Sequence, residues 1–294
     1  MKALVIGASG LVGGALMHMV PHSIECHGTT HAQDLPNLLS LDVTQPLVVR
    51  QLLERLRPEW ILMPAANPNV DLCEREPQQT RAINVDAVET VARVCADIGA
   101  KLVYFSSDYV FDGEFGPYTE NASINPICEY GRQKRDAEDK VRQILTHSHI
   151  IVRTTGVYGL ERLKKNFVYR VVSALERGDV LTVPEDQYGN PTLAEDLARA
   201  VWSLCKLKSN GIFHVAGRDL MNRLEFAQLI AQVFGHSTVG LKGVATQALG
   251  QVASRPLNAG LTSARAETQV GRAMVGAREG LEQIREGVRR GLEP

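Results

Sequence analysis

The chain has 294 residues, 44% hydrophobic and 22% charged, which suits one large globular domain or two modest ones. A formal net charge of -1 and a sequence pI near 6.7 leave no basic surplus, so neither nucleic acid nor an anionic membrane is an expected partner. The five cysteines (Cys26, Cys73, Cys95, Cys128 and Cys205) show no CxxC spacing, and no run of about 18 apolar residues occurs, which argues against a disulfide framework, a metal site and a membrane span.

The run Lys2-Ala3-Leu4-Val5-Ile6 predicts a first strand that begins at once. It leaves no room for a signal peptide, and the cytoplasm is the expected address. A helix over 11–20 follows, then strands over 24–27 and 38–41, a helix over 48–56 and a strand over 60–63. A long helix over 79–98, a strand over 101–105, a helix over 131–145 and a strand over 149–152 continue the alternation. Apolar strands alternating with helices predict a parallel sheet covered on both faces, joined by right-handed crossovers. The second half is less regular. Helices are predicted over 167–177, 193–205, 222–234 (with Asn222 as N-cap) and 278–290, and strands over 181–183 and 211–215. The predicted fold class is α/β. A Rossmann-type sheet domain spans 1–158, to which 190–217 returns, and a smaller substrate-binding domain is built mainly from 159–294.

The turn Gly7-Ala8-Ser9-Gly10-Leu11-Val12-Gly13 lies between the first strand and the first helix, the context a dinucleotide site requires. Glycine lets backbone approach phosphate, and the helix offers free N–H groups and a positive dipole end. The spacing is GxxGxxG, and no Gly-Lys-Ser/Thr follows, so this is not a nucleoside triphosphate loop. Cofactor choice is expected at the end of the second strand, Gly28-Thr29-Thr30-His31. A carboxylate there would bind the ribose hydroxyls of NAD. None occurs before Asp34, so NADPH is the preferred cofactor and NADH an admissible one, with Thr29, Thr30 and His31 placed to meet a 2′-phosphate. Asp42 and Val43 are candidates to flank the adenine, although Asp42 could simply cap a strand end.

Tyr130 is the only tyrosine with a lysine, Lys134, four residues on. On a helix the two side chains share a face. An ammonium beside a phenol favours the phenolate, so the pair suits acid–base work on a carbonyl. Ser107, at the end of the fifth strand, is placed to polarise the carbonyl oxygen. Ser106 competes for that role, because adjacent strand residues point to opposite faces. Tyr109, two residues past Ser107, is a candidate for the same pocket.

These residues resemble those of the extended short-chain dehydrogenase/reductases, and within them the dTDP-4-dehydrorhamnose reductase family. The resemblance runs through Leu41-Asp42-Val43-Thr44, Ala65-Ala66, Val70-Asp71-Leu72-Cys73-Glu74 and Ile83-Asn84-Val85. Its most specific part is Ser106-Ser107-Asp108-Tyr109-Val110-Phe111-Asp112-Gly113, with Tyr130-Gly131 and Lys134 at the family distance. Arg153-Thr154, Gly189-Asn190-Pro191-Thr192, Phe213-His214-Val215-Ala216-Gly217 and Arg255-Pro256-Leu257-Asn258 complete it.

The resemblance implies reduction of a 4-keto group on a nucleotide-linked deoxysugar with NADPH or NADH, catalysed by Ser107, Tyr130 and Lys134. It adds Ala65, Ala66 and Asn84 to the cofactor site, with Asn84 either bracing its helix or relaying protons through water. It adds Asp108 and Arg255 to the substrate contacts of Ser107 and Tyr109. A homodimer is compatible with it. Cys128 stands where the family has asparagine, and Pro64 where a polar residue is common. Two other functions remain open: epimerisation or dehydration of a nucleotide sugar, which would want an acidic pair after the serine, and a cofactor-binding regulatory subunit without catalysis.

Overall fold

The computed structural model describes residues 1–31 and 35–291. Its main sheet has seven strands: β1 (Lys2–Ile6), β2 (Glu25–Thr30), β3 (Leu38–Ser40), β4 (Trp60–Met63), β5 (Lys101–Ser107), β6 (His149–Thr154) and β11 (Gly211–His214). They stand in the order β3-β2-β1-β4-β5-β6-β11, every neighbouring pair parallel. The order reverses between β1 and β4, and a crevice opens there beyond the carboxyl ends of the strands.

Alternation along each strand sends side chains to two cores. Ala3, Val5, Trp60, Leu62, Val103 and Ile150 pack beneath α1 (Leu11–His18) and α8 (Ala194–Lys206). The Trp202 indole N–H donates to the Leu16 carbonyl at 3.0 Å and ties those helices together. Leu4, Ile6, Ile61, Leu102, Tyr104 and Ile151 face the other way, toward α2 (Pro46–Leu56), α5 (Ala87–Ile98) and α6 (Glu129–Ile144). All five cysteines are free; Cys95 is buried in the core beneath α5 and Cys205 in the core beneath α8.

The helix expected over 79–98 is instead α4 (Pro77–Arg81), a single π turn over Ala82–Asp86 and then α5. The short α3 (Val70–Arg75), N-capped by the Asn69 side chain, precedes it and was not foreseen. Between β6 and β11 the chain leaves the sheet through β7 (Val157–Tyr158), α7 (Phe167–Arg177), β8 (Leu181–Pro184), β9 (Tyr188–Gly189) and β10 (Thr192–Leu193). It re-enters through α8. After β11 come β12 (Met221–Asn222), α9 (Arg223–Phe234), β13 (Leu241–Val244), α10 (Ala264–Val270) and α11 (Ala277–Arg289).

Asn222 caps α9 in a reciprocal box with Glu225. Three two-stranded ribbons, β7–β10, β9–β12 and β8–β13, tie this half together. Its own core joins Val168, Val171, Phe226, Ile230, Leu281 and Ile284 from α7, α9 and α11.

Candidate active site

The glycine turn lines one end of a cleft of about 670 Å³. Gly7 holds φ 94°, a conformation that favours glycine. A Cβ on Gly13 would sit 2.0 Å from the Gly7 carbonyl oxygen, so α1 crosses β1 only because that side chain is absent. Gly10 is the N-cap and no side chain caps α1, which leaves first-turn N–H groups aimed at the cleft. Ala66 and Pro64 line the floor, while Ala65 packs against Gly7.

The end of β2 is buried at Thr29 and Thr30. Thr29 is 1% exposed, and its hydroxyl accepts from the Gly7 N–H at 3.3 Å. It braces the turn from beneath, buried, and does not line the cleft. Thr30, buried as well, donates to the Ser9 hydroxyl at 3.0 Å, and His31 is exposed; Asp34 lies outside the described residues. Asp42 accepts from the Thr44 N–H at 2.9 Å and from its hydroxyl at 2.6 Å. Those bonds hold its carboxyl below the usual range. Asp42 thus holds the turn that follows β3, and Val43 packs against the core beneath α2.

Across the cleft, the end of β5 meets the first turns of α6. Ser107 donates to Asp108 Oδ1 at 2.8 Å, accepts from the Tyr109 N–H at 3.3 Å, and faces the Tyr130 hydroxyl. Tyr109 packs edge-on against Tyr130, ring centres 5.5 Å apart. Burial raises the Tyr130 pKa, the Asp108 charge raises it further, and Ser107 opposes both. Lys134 is 3% exposed and donates to the Phe105 carbonyl at 2.9 Å, 5.7 Å from the Tyr130 ring centre. Burial pulls its pKa down to about 8, against the pull of Glu138. Ser106 is buried too, but its hydroxyl has no partner among the described residues, and Ser106 lines the cleft.

Other foreseen residues stand behind the site. Asn84 lies in the π turn and is 0% exposed. Its oxygen accepts from the Asn67 N–H at 2.8 Å, and its amide donates to the Asn67 carbonyl at 3.1 Å and to Gln133 Oε1 at 2.9 Å. Asn84 thus ties the loop at Asn67 to Gln133 of α6 and does not line the cleft. The Arg255 guanidinium bonds Asp71 at 2.9 Å and the Ala253 carbonyl at 3.1 Å, and it does not line the cleft. Cys128 is buried at the N-cap of α6 without capping it; Glu74 accepts from the Glu129 N–H at 2.8 Å instead.

The model of the RmlD substrate binding domain family matches residues 1–289. The chain belongs to this family. It is similar to a dTDP-4-dehydrorhamnose reductase of Clostridium acetobutylicum, 30% identical, covering 98% of this chain and 100% of that one with a TM-score of 0.90. A Bacillus anthracis dTDP-4-dehydrorhamnose reductase in complex with NADP is 28% identical, with 96% and 98% covered and a TM-score of 0.88. A probable low-salt glycan biosynthesis reductase of Haloferax volcanii is 31% identical over 92% of this chain and 93% of its own length. The Xenopus laevis methionine adenosyltransferase 2 subunit beta is 29% identical over 90% and 81%. This member of the RmlD family is an NAD(P)-dependent reductase of the extended short-chain type.

The cleft fits such a cofactor on its own chemistry: uncapped helix N–H groups at one end, and unpartnered Ser106 and Thr154 hydroxyls buried in its wall. The opposite end holds residues not foreseen in this RmlD-family chain. Lys165, Arg170 and Arg223 line it, and the Arg223 guanidinium lies 5.3 Å from the Phe167 ring centre. These cations come from the loop before α7, from α7 and from α9, too far apart in sequence for any spacing rule to group them.

Proposed function

We propose that the protein uses NADPH to reduce the 4-keto group of a nucleotide-linked 6-deoxysugar, with dTDP-4-dehydrorhamnose as substrate. The observation that carries this reading is the convergence of Ser107, Tyr130 and Lys134 between a helix N-terminus and a cationic wall. When bound, the nicotinamide cofactor supplies the hydride. The N–H groups of Leu11, Val12 and Gly13 hold its diphosphate, and Lys134 holds its ribose. Ser107 donates to the carbonyl oxygen, and Tyr130 gives that oxygen its phenolic proton. The raised Tyr130 pKa keeps the phenol protonated at neutral pH, the form a reduction needs. Lys165, Arg170 and Arg223 hold the substrate's diphosphate at the far end.

Residues 1–158 with 190–217 form the cofactor half of this arrangement, and the remainder forms the substrate half. The NADPH preference is supported by the absence of a carboxylate in Gly28-Thr29-Thr30-His31 and by the NADP-bound relative. Following absorbance loss of NADPH and NADH with dTDP-4-dehydro-6-deoxy-L-mannose tests both points. No turnover with either cofactor removes the substrate, and a tenfold preference for NADH removes the cofactor assignment.

A second reading follows from the methionine adenosyltransferase relative: a cofactor-binding subunit of another enzyme. The intact Ser107, Tyr130 and Lys134 favour catalysis. Cofactor binding without turnover, together with co-purification of an unrelated enzyme, would favour the subunit.

A further inference from the structure

We propose that Asp108 is the proton relay of this site, passing solvent protons that enter at Thr155 through Ser107 to Tyr130. The inference rests on the reductase reading, in which each turnover takes one proton from Tyr130 and must return it.

Asp108 is 5% exposed, and each carboxylate oxygen has its own hydroxyl partner. Ser107 donates to Oδ1 at 2.8 Å, and Thr155 donates to Oδ2 at 2.7 Å. Ser107 faces the Tyr130 phenol, and Thr155 lines the cleft. Thr155, Asp108 and Ser107 are thus hydrogen-bonded in series from the cleft wall, and Ser107 stands beside the Tyr130 phenol.

The charged and titratable groups facing Asp108 are Tyr109 beside it, Tyr130 on α6 and Arg223 on α9. Burial pushes its carboxyl up to about 6, against the hydroxyls and Arg223, so both protonation states are accessible near neutrality. In the relay, Thr155 passes its hydroxyl proton to Oδ2 and takes one from a cleft water. With Oδ2 protonated, the Ser107 hydroxyl turns from Oδ1 and gives its own proton to the Tyr130 phenolate, while the Asp108 carboxyl turns its O–H to Ser107 and restores the serine hydroxyl. One proton leaves solvent, one arrives at Tyr130, and nothing is oxidised or reduced along the line.

Infrared spectroscopy of the whole protein tests the relay without turnover. The carbonyl stretch of a protonated carboxyl is expected to titrate near pH 6, vanish in Asp108→Asn and shift in Tyr130→Phe. No such band, or one indifferent to Tyr130→Phe, overturns the proposal. Kinetics give a second arm. Wild-type kcat is expected to fall as pH rises above about 6, whereas Asp108→Asn and Thr155→Val lose about tenfold or more and flatten that dependence, and Thr155→Ser keeps it. Unchanged profiles in all three overturn it. A wild type inert toward the deoxysugar removes the substrate reading alone, and the infrared result still decides the role of Asp108.

Discussion

Replacing Gly13 by alanine tests how the cofactor end of the cleft is built. The added Cβ would stand 2.0 Å from the Gly7 carbonyl oxygen, 2.7 Å from the Gly7 carbonyl carbon and 2.8 Å from Ala8 Cα. All three are backbone atoms, so no side chain can swing aside. An ordinary contact begins near 3.4 Å, and α1 must back away by about 1.4 Å. Overpacking typically costs 1–3 kcal/mol, and a backbone obstacle places Gly13→Ala at about 3 kcal/mol. The same shift carries the Leu11 and Val12 N–H groups off the phosphate position. NADPH affinity is expected to fall at least about tenfold, equivalent to about 1.4 kcal/mol. Gly14→Ala is the control, because its Cβ would meet only the Ala8 oxygen at 3.8 Å. That change removes a helix-interior glycine and is expected to leave stability unchanged or raise it by up to about 1 kcal/mol. Urea unfolding and NADPH fluorescence titration on both variants measure the two effects. A Gly13→Ala protein as stable as wild type, with affinity within twofold, refutes the steric argument.

Tyr130→Phe should bind NADPH normally and lose about 10²–10⁴-fold in kcat, since only the phenolic proton goes; more than a third of wild-type rate excludes that role. Arg170→Met with Arg223→Met should raise KM for the nucleotide sugar while leaving NADPH affinity unchanged, and an unaltered KM rejects the diphosphate assignment. The buried Lys134 has its pKa pulled from 10.5 down to about 8, so between those values the unfolded chain binds the extra proton and stability rises with pH. Lys134→Met lacks that contribution. Urea unfolding of both proteins at pH 7.5, 8.5 and 9.5 should show the wild type gaining on the variant toward alkaline pH, and a constant difference contradicts it.

Strands such as Lys2–Ile6 and Trp60–Met63 were legible because they are buried on both faces and read as continuous apolar runs. Tyr130 and Lys134 were legible because helix geometry fixes their relation within four residues. What local sequence could not specify shares a cause. The roles of Thr29 and Arg255 depend on which way a side chain turns and what it meets, Gly7 in one case and Asp71, 184 residues away, in the other. The π turn at Asn84 is invisible to periodicity, because one extra residue in a turn barely disturbs an apolar face. Two-residue strands such as Tyr188–Gly189 exist only through their partners and carry no local signal.

The placement of Cys95 and Cys205 turns the molecule into its own stopwatch. Each thiol sits under a different face of the sheet, and burial pushes both thiols far above their ordinary ionisation range. A reagent that attacks thiolate must wait for the covering helix to open. The labelling rate at Cys95 times the departure of α5, and that at Cys205 the departure of α8. Equal rates that respond alike to urea mean that the two faces come apart in one event; unequal rates name the layer that lifts first.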